Sequence, residues 1–388
     1  MTSAATREAW VLPLAMFLGT FAWSFVFVSL PFHILAISTM DGMATLRWTG
    51  WILGVSPLAT VATAPLWGRY AERGNPKLLY VLTQVLQGVA FFGMAIARTL
   101  PELFLSRLVL GVTGAASTVA FINAGRSGDG REVRRQVAAI QSAMTVGQVV
   151  GPLVGAITAV RVGFRTSFVV GGLILIACGL LAQWMLPAPG EAKAPPATAR
   201  SARVRDVVAV ALIVCAGSTQ VFFLTAILPQ VLPALGVPVG RTLEIGGVLI
   251  FASGVAAAVG SVLAPRLEEL VTGHRLIAGL LILSSLAVAA LGLSSSVWAY
   301  GLLRFVQVLA IAPVFPIVVA RIAQSAGGQA IGVINSARIG AAFLGPVMAT
   351  TLLAWTAPPV LYFVLAITGL ACLPLARVGE RPGGRARG

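Results

Sequence analysis

Three arginines, Arg107, Arg304 and Arg338, stand inside long apolar stretches. A charge there costs several kcal/mol unless it is paired or hydrated. A guanidinium presents five N–H donors in a planar fork that fits a carboxylate or phosphate. The chemistry on offer is therefore recognition of an anionic or zwitterionic group. Bond-making chemistry is poorly supplied. The sequence has no HExxH, no paired acid site and no credible Ser-His-Asp set, so the chain is not expected to be an enzyme. Two histidines, and three cysteines (Cys178, Cys215, Cys372) in separate apolar stretches, leave no metal site and no cofactor to expect. Without a GxxxxGK[ST] phosphate loop, energy must come from a gradient and not from ATP. The twelve Asp and Glu residues all fall between apolar stretches or at their ends. The groups nearest to a buried proton carrier are Glu102, five residues before Arg107, together with Glu244 and His33.

The elements that must position these side chains follow from composition. Hydrophobic residues make up 58% of the chain and charged residues 10%, with mean hydropathy +0.94. A water-facing domain carries about 25% charged residues, so the bilayer is the expected solvent. Twelve apolar runs are long enough to cross it: 10–37, 49–70, 78–98, 101–124, 136–160, 165–186, 207–235, 243–265, 275–293, 297–322, 329–355 and 358–377. They are numbered here as spans 1 to 12. The first run is too long for a signal h-region and lacks a small-residue cleavage site. With the N-terminus in the cytoplasm, nineteen Lys and Arg lie on the cytoplasmic side and five outside. That bias predicts both termini in the cytoplasm, and it accounts for the net charge of +15 without nucleic acid.

The sequence repeats itself. "IQSAMTVGQVVGP" at Ile140–Pro152 returns as "INSARIGAAFLGP" at Ile334–Pro346, with Arg338 in place of Met144. "LWGRYAERGNPKLL" at Leu66–Leu79 aligns with "LAPRLEELVTGHRL" at Leu263–Leu276, and Arg107 aligns with Arg304 at the same offset of 197 residues. The stretch 187–206, rich in Pro, Ala and charge, separates the copies. The expected organisation is a six-helix bundle over 1–186, a cytoplasmic linker over 187–206, a second bundle over 207–377 and a tail over 378–388. An even number of spans per half makes the repeats parallel, related by an axis along the membrane normal.

Three motifs resemble the major facilitator superfamily. "GRYAERGNPK" is similar to its loop 2–3 signature through Gly68, Arg73 and Lys77, with Glu72 in place of the usual Asp. "LFLSRLVLGVTGAA" resembles the helix 4 signature through Arg107, Gly111 and Gly114. "GQVVGPLVGA" resembles the helix 5 signature of the exporters, chiefly the drug–proton antiporters. The resemblance covers the whole chain. It implies an all-α membrane fold of twelve helices in two pseudo-symmetric bundles, working by alternating access with a rocker-switch motion.

The motifs have a physical content of their own. Gly147, Gly151 and Gly155 recur every four residues and make a small-residue stripe on span 5, where another helix can approach closely. Pro152 permits a bend. Gly345 and Pro346 repeat this on span 11. The reading as tight packing stands beside one in which this seam slides during transport. Gly68, Glu72, Arg73 and Lys77 form a cytoplasmic turn whose carboxylate could meet the positive N-terminus of a helix of the opposite half and latch one state.

Arg338 lies about 12–14 Å into span 11, where it cannot be a topology signal. A substrate role and a structural ion-pair or carbonyl-bound role are both open for it, as they are for Arg107. Further substrate-binding candidates are Arg304, Gln307, Gln148, Trp23 and Gln220, with Phe27, Gln84, Gln87, Gln141, Phe222 and Asn335 as additional cavity residues. The expected function is secondary transport of a small organic molecule across the cytoplasmic membrane, as a proton-coupled multidrug or metabolite exporter acting as a monomer. The alternative is an organic-anion facilitator or exchanger without proton coupling. A non-transporting receptor or structural protein is disfavoured by the lack of a large soluble domain.

Overall fold

The computed structural model describes residues 3–125, 130–186, 203–271, 273–323 and 328–377. The expected tail (378–388) and residues 187–202 of the expected linker lie outside them. Among the described residues every regular element is helical, and twelve helical stretches are long and apolar enough to cross a membrane. The chain is a multi-pass membrane protein of the expected all-α class.

Local chemistry explains where the helices start. The Asp41 side chain accepts from Ala44 N at 2.7 Å and caps the helix Gly42–Arg73 of span 2. Asn75 accepts from Leu78 N at 3.1 Å, and Pro76 follows at the first helical position of span 3. Gly74 and Pro76 make the short turn between them, as the motif predicts.

Five spans among the described residues are not continuous α-helices, which the apolar runs did not reveal; span 12 is one, an α-helix over Pro358–Leu370 followed by a 3-10 turn over Leu373–Arg377. Span 1 steps at Val28, between Ser3–Phe27 and Ser29–Ile37. Span 4 breaks between Leu100–Val112 and Ala116–Gly125. Span 7 breaks between Val204–Phe222 and Leu224–Ala234, and span 10 between Val297–Ile311 and Val314–Ala323. Spans 1 and 7 occupy the same place in the repeat, as do spans 4 and 10. Each break releases backbone groups that water cannot reach in a bilayer, so side chains must meet them.

The chain divides into two compact units. One comprises Met1–Pro195, Thr225–Pro233 and Val237–Phe251, the other Pro196–Leu224, Ala234–Gly236 and Ala252–Gly388. In the first, the glycine stripe of span 5 lies on span 1. A Cβ on Gly147 would come 2.7 Å from Phe17 O, one on Gly151 2.9 Å from Phe21 O, and one on Gly155 would overlap the Phe25 carbonyl. The stripe is thus a packing surface against a helix of its own repeat. On another part of span 5, Ala156 meets Gly247 of span 8. In the second unit, Gly345 repeats the arrangement: its Cβ would stand 3.0 Å from Phe223 N in span 7.

Candidate functional site

Arg304 is fully buried on span 10. Its guanidinium is occupied by the break in span 7. Nη1 donates to Gln220 O (2.8 Å) and Nη2 to Val221 O (2.6 Å), just before the helix stops at Phe222. Nη1 also donates to Gln307 Oε1 at 2.6 Å and Nε to Ser253 Oγ at 3.3 Å, and the group lies 5.2 Å from the Phe223 ring centre. The surrounding amides are equally committed. Gln307 Nε2 donates to Ser284 Oγ at 3.2 Å, and Gln220 Nε2 donates to Leu365 O at 2.9 Å while its Oε1 accepts from Ser284 Oγ. This knot satisfies the carbonyls of a broken helix in the buried interior of the unit.

Arg107 does a related job in the first unit. Pro57 sits inside the helix of span 2 and has no N–H to give to the Leu53 carbonyl one turn back. Arg107 Nη2 supplies the missing donor at 3.1 Å, and Nε donates to Ile52 O at 3.1 Å. The guanidinium lies 5.9 Å from the Trp23 ring centre, and Trp23 Nε1 donates to Gln87 Oε1 at 2.6 Å. Gln87 Nε2 then meets Thr113 O at the break in span 4, at 3.0 Å. Ser56 Oγ donates to Arg107 O, and Thr60 Oγ1 to Gly111 O at 2.9 Å.

The sequence reading did not assemble these two knots, yet the signal was present. Trp23 and Gln220, Ser56 and Ser253, Gln87 and Ser284, and Arg107 and Arg304 all stand 197 residues apart. One scaffold is used twice, with different side chains at the same stations.

Arg338 is different. It is half-buried. Nη2 reaches Asn335 Oδ1, one turn back, at 3.4 Å, and the guanidinium lies 5.6 Å from the Phe315 ring centre. Nε is buried with no hydrogen-bond partner, and no carboxylate among the described residues pairs with the group. Met144, its counterpart in the first copy, is buried in an apolar cluster with Ile140, Ala120 and Leu12.

The other candidates are scattered. Gln141 and Gln148 are exposed on span 5, and Phe27 and Phe222 are half-buried. Gln84 is buried, donates to Tyr80 Oη at 2.8 Å, and leaves its own Oε1 without a partner. Glu102 is exposed in the first turn of span 4, where Oε2 accepts from Arg98 N at 2.7 Å while Thr99 Oγ1 accepts from Glu102 N at 3.4 Å. This reciprocal pattern is that of a helix start. Glu244 is half-buried in the first turn of span 8. His33 is buried between Phe164 and Phe168, 5.5 and 5.1 Å away, and its Nε2 has no partner. In the loop motif Glu72 and Arg73 are exposed, Gly68 has only Thr118 Cγ2 near it, and Lys77 Nζ donates to Leu186 O.

The Major Facilitator Superfamily family model matches residues 12–276. Multidrug resistance protein MdtG of Citrobacter koseri is 24% identical over 344 residues, covering 85% of this chain and 83% of the relative. The Uncharacterized MFS-type transporter YuxJ of Bacillus subtilis is 26% identical over 339 residues, covering 82% and 84%. Among solved structures, the human organic anion transporter MFSD10 has a TM-score of 0.70 at 16% identity, over 97% of this chain and 100% of that one. A D-xylose-proton symporter has a TM-score of 0.75 at 15% identity, over 99% and 100%. At these identities the two structures share the fold alone.

Proposed function

Since the chain belongs to the Major Facilitator Superfamily, a family of transporters and not of enzymes, we propose that it exports small organic molecules bearing an anionic group, with Arg338 as the residue that reads that group. The carrying observation is the under-bonded Arg338 guanidinium: a buried Nε without a partner, one long contact to Asn335, and an aromatic ring beneath. A carboxylate or phosphate would complete its hydrogen bonding. Phe315 would add contact with a flat apolar body. Export is supported by the helix 5 motif and by relatives named as multidrug resistance proteins. The chain acts as a monomer in the cytoplasmic membrane with both termini inside. Alternating access is gated at the loop motif, where Glu72 latches one state. Glu72→Gln should shift the distribution of distances between spin labels at the cytoplasmic ends of the two halves, and an unchanged distribution contradicts the latch.

Transport without proton coupling is the second reading. It is favoured by Glu102, whose carboxylate is exposed and engaged at a helix start. Coupling would then rest on His33 or Glu244. Proton release on substrate binding in weakly buffered detergent solution decides between coupled and uncoupled transport. A thermal-shift screen of the purified protein against anionic and cationic compounds tests the main reading. Anions should raise the melting temperature, and stabilisation by cations alone would refute it.

A further inference from the structure

Span 2 carries a second feature, on residues other than those that hold Arg107. Ala44, Arg47, Trp48 and Trp51 recur at helical spacing and share one face of the helix Gly42–Arg73. With Phe104 of span 4 they line an open cavity of about 420 Å³. Trp48 meets Phe104 edge-on, 5.9 Å between ring centres. Ala44 leaves the space that a larger side chain would fill. Arg47 is the one charged residue in the lining. Arg47 and Trp51 are exposed, Trp51 at 47%.

Depth assigns the surroundings. The helix has 32 residues and is about 48 Å long at ~1.5 Å per residue, against a hydrocarbon layer of ~30 Å. Centring it leaves about six residues outside the hydrocarbon at each end. Arg47 then stands at headgroup level and Trp51 just inside, the depth at which tryptophan is enriched. Deeper along the same two spans, Leu58 on span 2 and Leu105 and Val109 on span 4 are exposed apolar residues. A phosphate-sized charge beside an arginine, aromatic rings at the glycerol level and apolar residues below together match one molecule type.

We propose that this cleft between spans 2 and 4 is a binding site for a phospholipid, with the lipid phosphate on Arg47, the Trp48, Trp51 and Phe104 rings around the glycerol region, and an acyl chain along Leu58, Leu105 and Val109. The fit is to the lipid of the surrounding bilayer and not to a soluble phosphate, because the lining is largely aromatic and exposed apolar residues stand deeper on both spans.

Native mass spectrometry of the full chain, released from detergent with added phosphatidylglycerol, tests this. The wild type should retain a saturable lipid adduct. Arg47→Gln should weaken retention about tenfold, and Trp51→Ala should weaken it as well, while Arg69→Gln, at the other end of the same helix, should leave it unchanged. All three variants replace exposed residues, and their melting temperature in lipid-free detergent reports folding separately. Equal retention by wild type and Arg47→Gln would overturn the proposal. So would protection of the adduct site by inorganic phosphate alone at millimolar concentration, which would make it a free-anion site. Retention of phosphatidylcholine equal to that of phosphatidylglycerol supports a phosphate-directed site. Loss of retention in Arg69→Gln as well would show a general charge effect and overturn the local one.

Discussion

The Arg304 knot and the Arg338 corner lie in the same compact unit, yet their arginines are in opposite states. Arg304 is 1% exposed and makes four hydrogen bonds, two of them to carbonyls at the span 7 break. Among the described residues Arg338 makes one, at 3.4 Å, and buries Nε without any. Burial alone would rank Arg304 as the more interesting charge. Counting donors reverses the ranking, because a guanidinium already filled by backbone oxygens has little left for a ligand. The Arg107 knot belongs with Arg304: its bonds go to Ile52 and Leu53 carbonyls, and its face to Trp23.

The sharpest way to break this comparison is at Arg304. Arg304→Met strands Gln220 O, Val221 O and Gln307 Oε1 in the buried interior of the unit. Each orphaned buried group costs about 1–3 kcal/mol, so a loss of roughly 3–5 kcal/mol is expected, read as a large drop in melting temperature or failure to accumulate in the membrane. Normal stability would show that the knot is not structural. Arg107→Met comes next. Leu53 O is left without a donor, because Pro57 has no N–H, while Ile52 O loses a second one; roughly 1–3 kcal/mol should go, measured by the same melting curves. If its loss exceeds that of Arg304→Met, the donor accounting is wrong. Smallest is the link between Trp23 and Gln87. A double-mutant cycle with Trp23→Phe and Gln87→Leu should return a coupling of about 1 kcal/mol, since a single hydrogen bond joins them. Zero coupling would remove Trp23 from the knot.

Much of this was legible in the sequence. Apolar run length located the spans, since crossing a bilayer demands it: span 3 was expected at 78–98 and is found at Pro76–Ile96, whereas span 2 was expected at 49–70 and starts seven residues earlier, at Gly42, because its first turns carry polar residues. The glycine stripe announced close packing, although spacing alone could not say that its partner would be span 1. The helix breaks were hidden, because an apolar run reads the same whether continuous or stepped. So was the assignment of the arginines. Arg107, Arg304 and Arg338 share residue type and a place inside an apolar run, and their difference lies in which carbonyls a break or a proline leaves unmet, a tertiary fact. The 197-residue register that joins Trp23, Ser56, Gln87 and Arg107 to Gln220, Ser253, Ser284 and Arg304 was available, but only once the arginine pair was extended to its neighbours. Glu102 looked like a proton carrier by its distance from Arg107, and its Thr99-x-x-Glu102 context marked it equally as a helix start.

The most direct measurement is ligand binding and uptake by Arg338→Met in proteoliposomes, beside its melting temperature. Methionine is the residue of the first copy and removes an under-bonded charge, so stability should hold or rise. Apparent affinity for an anionic substrate should fall at least tenfold, and Arg338→Lys should recover only part of it, because an ammonium offers no planar fork. An Arg338→Met protein that binds and transports the anion as the wild type does would contradict the account.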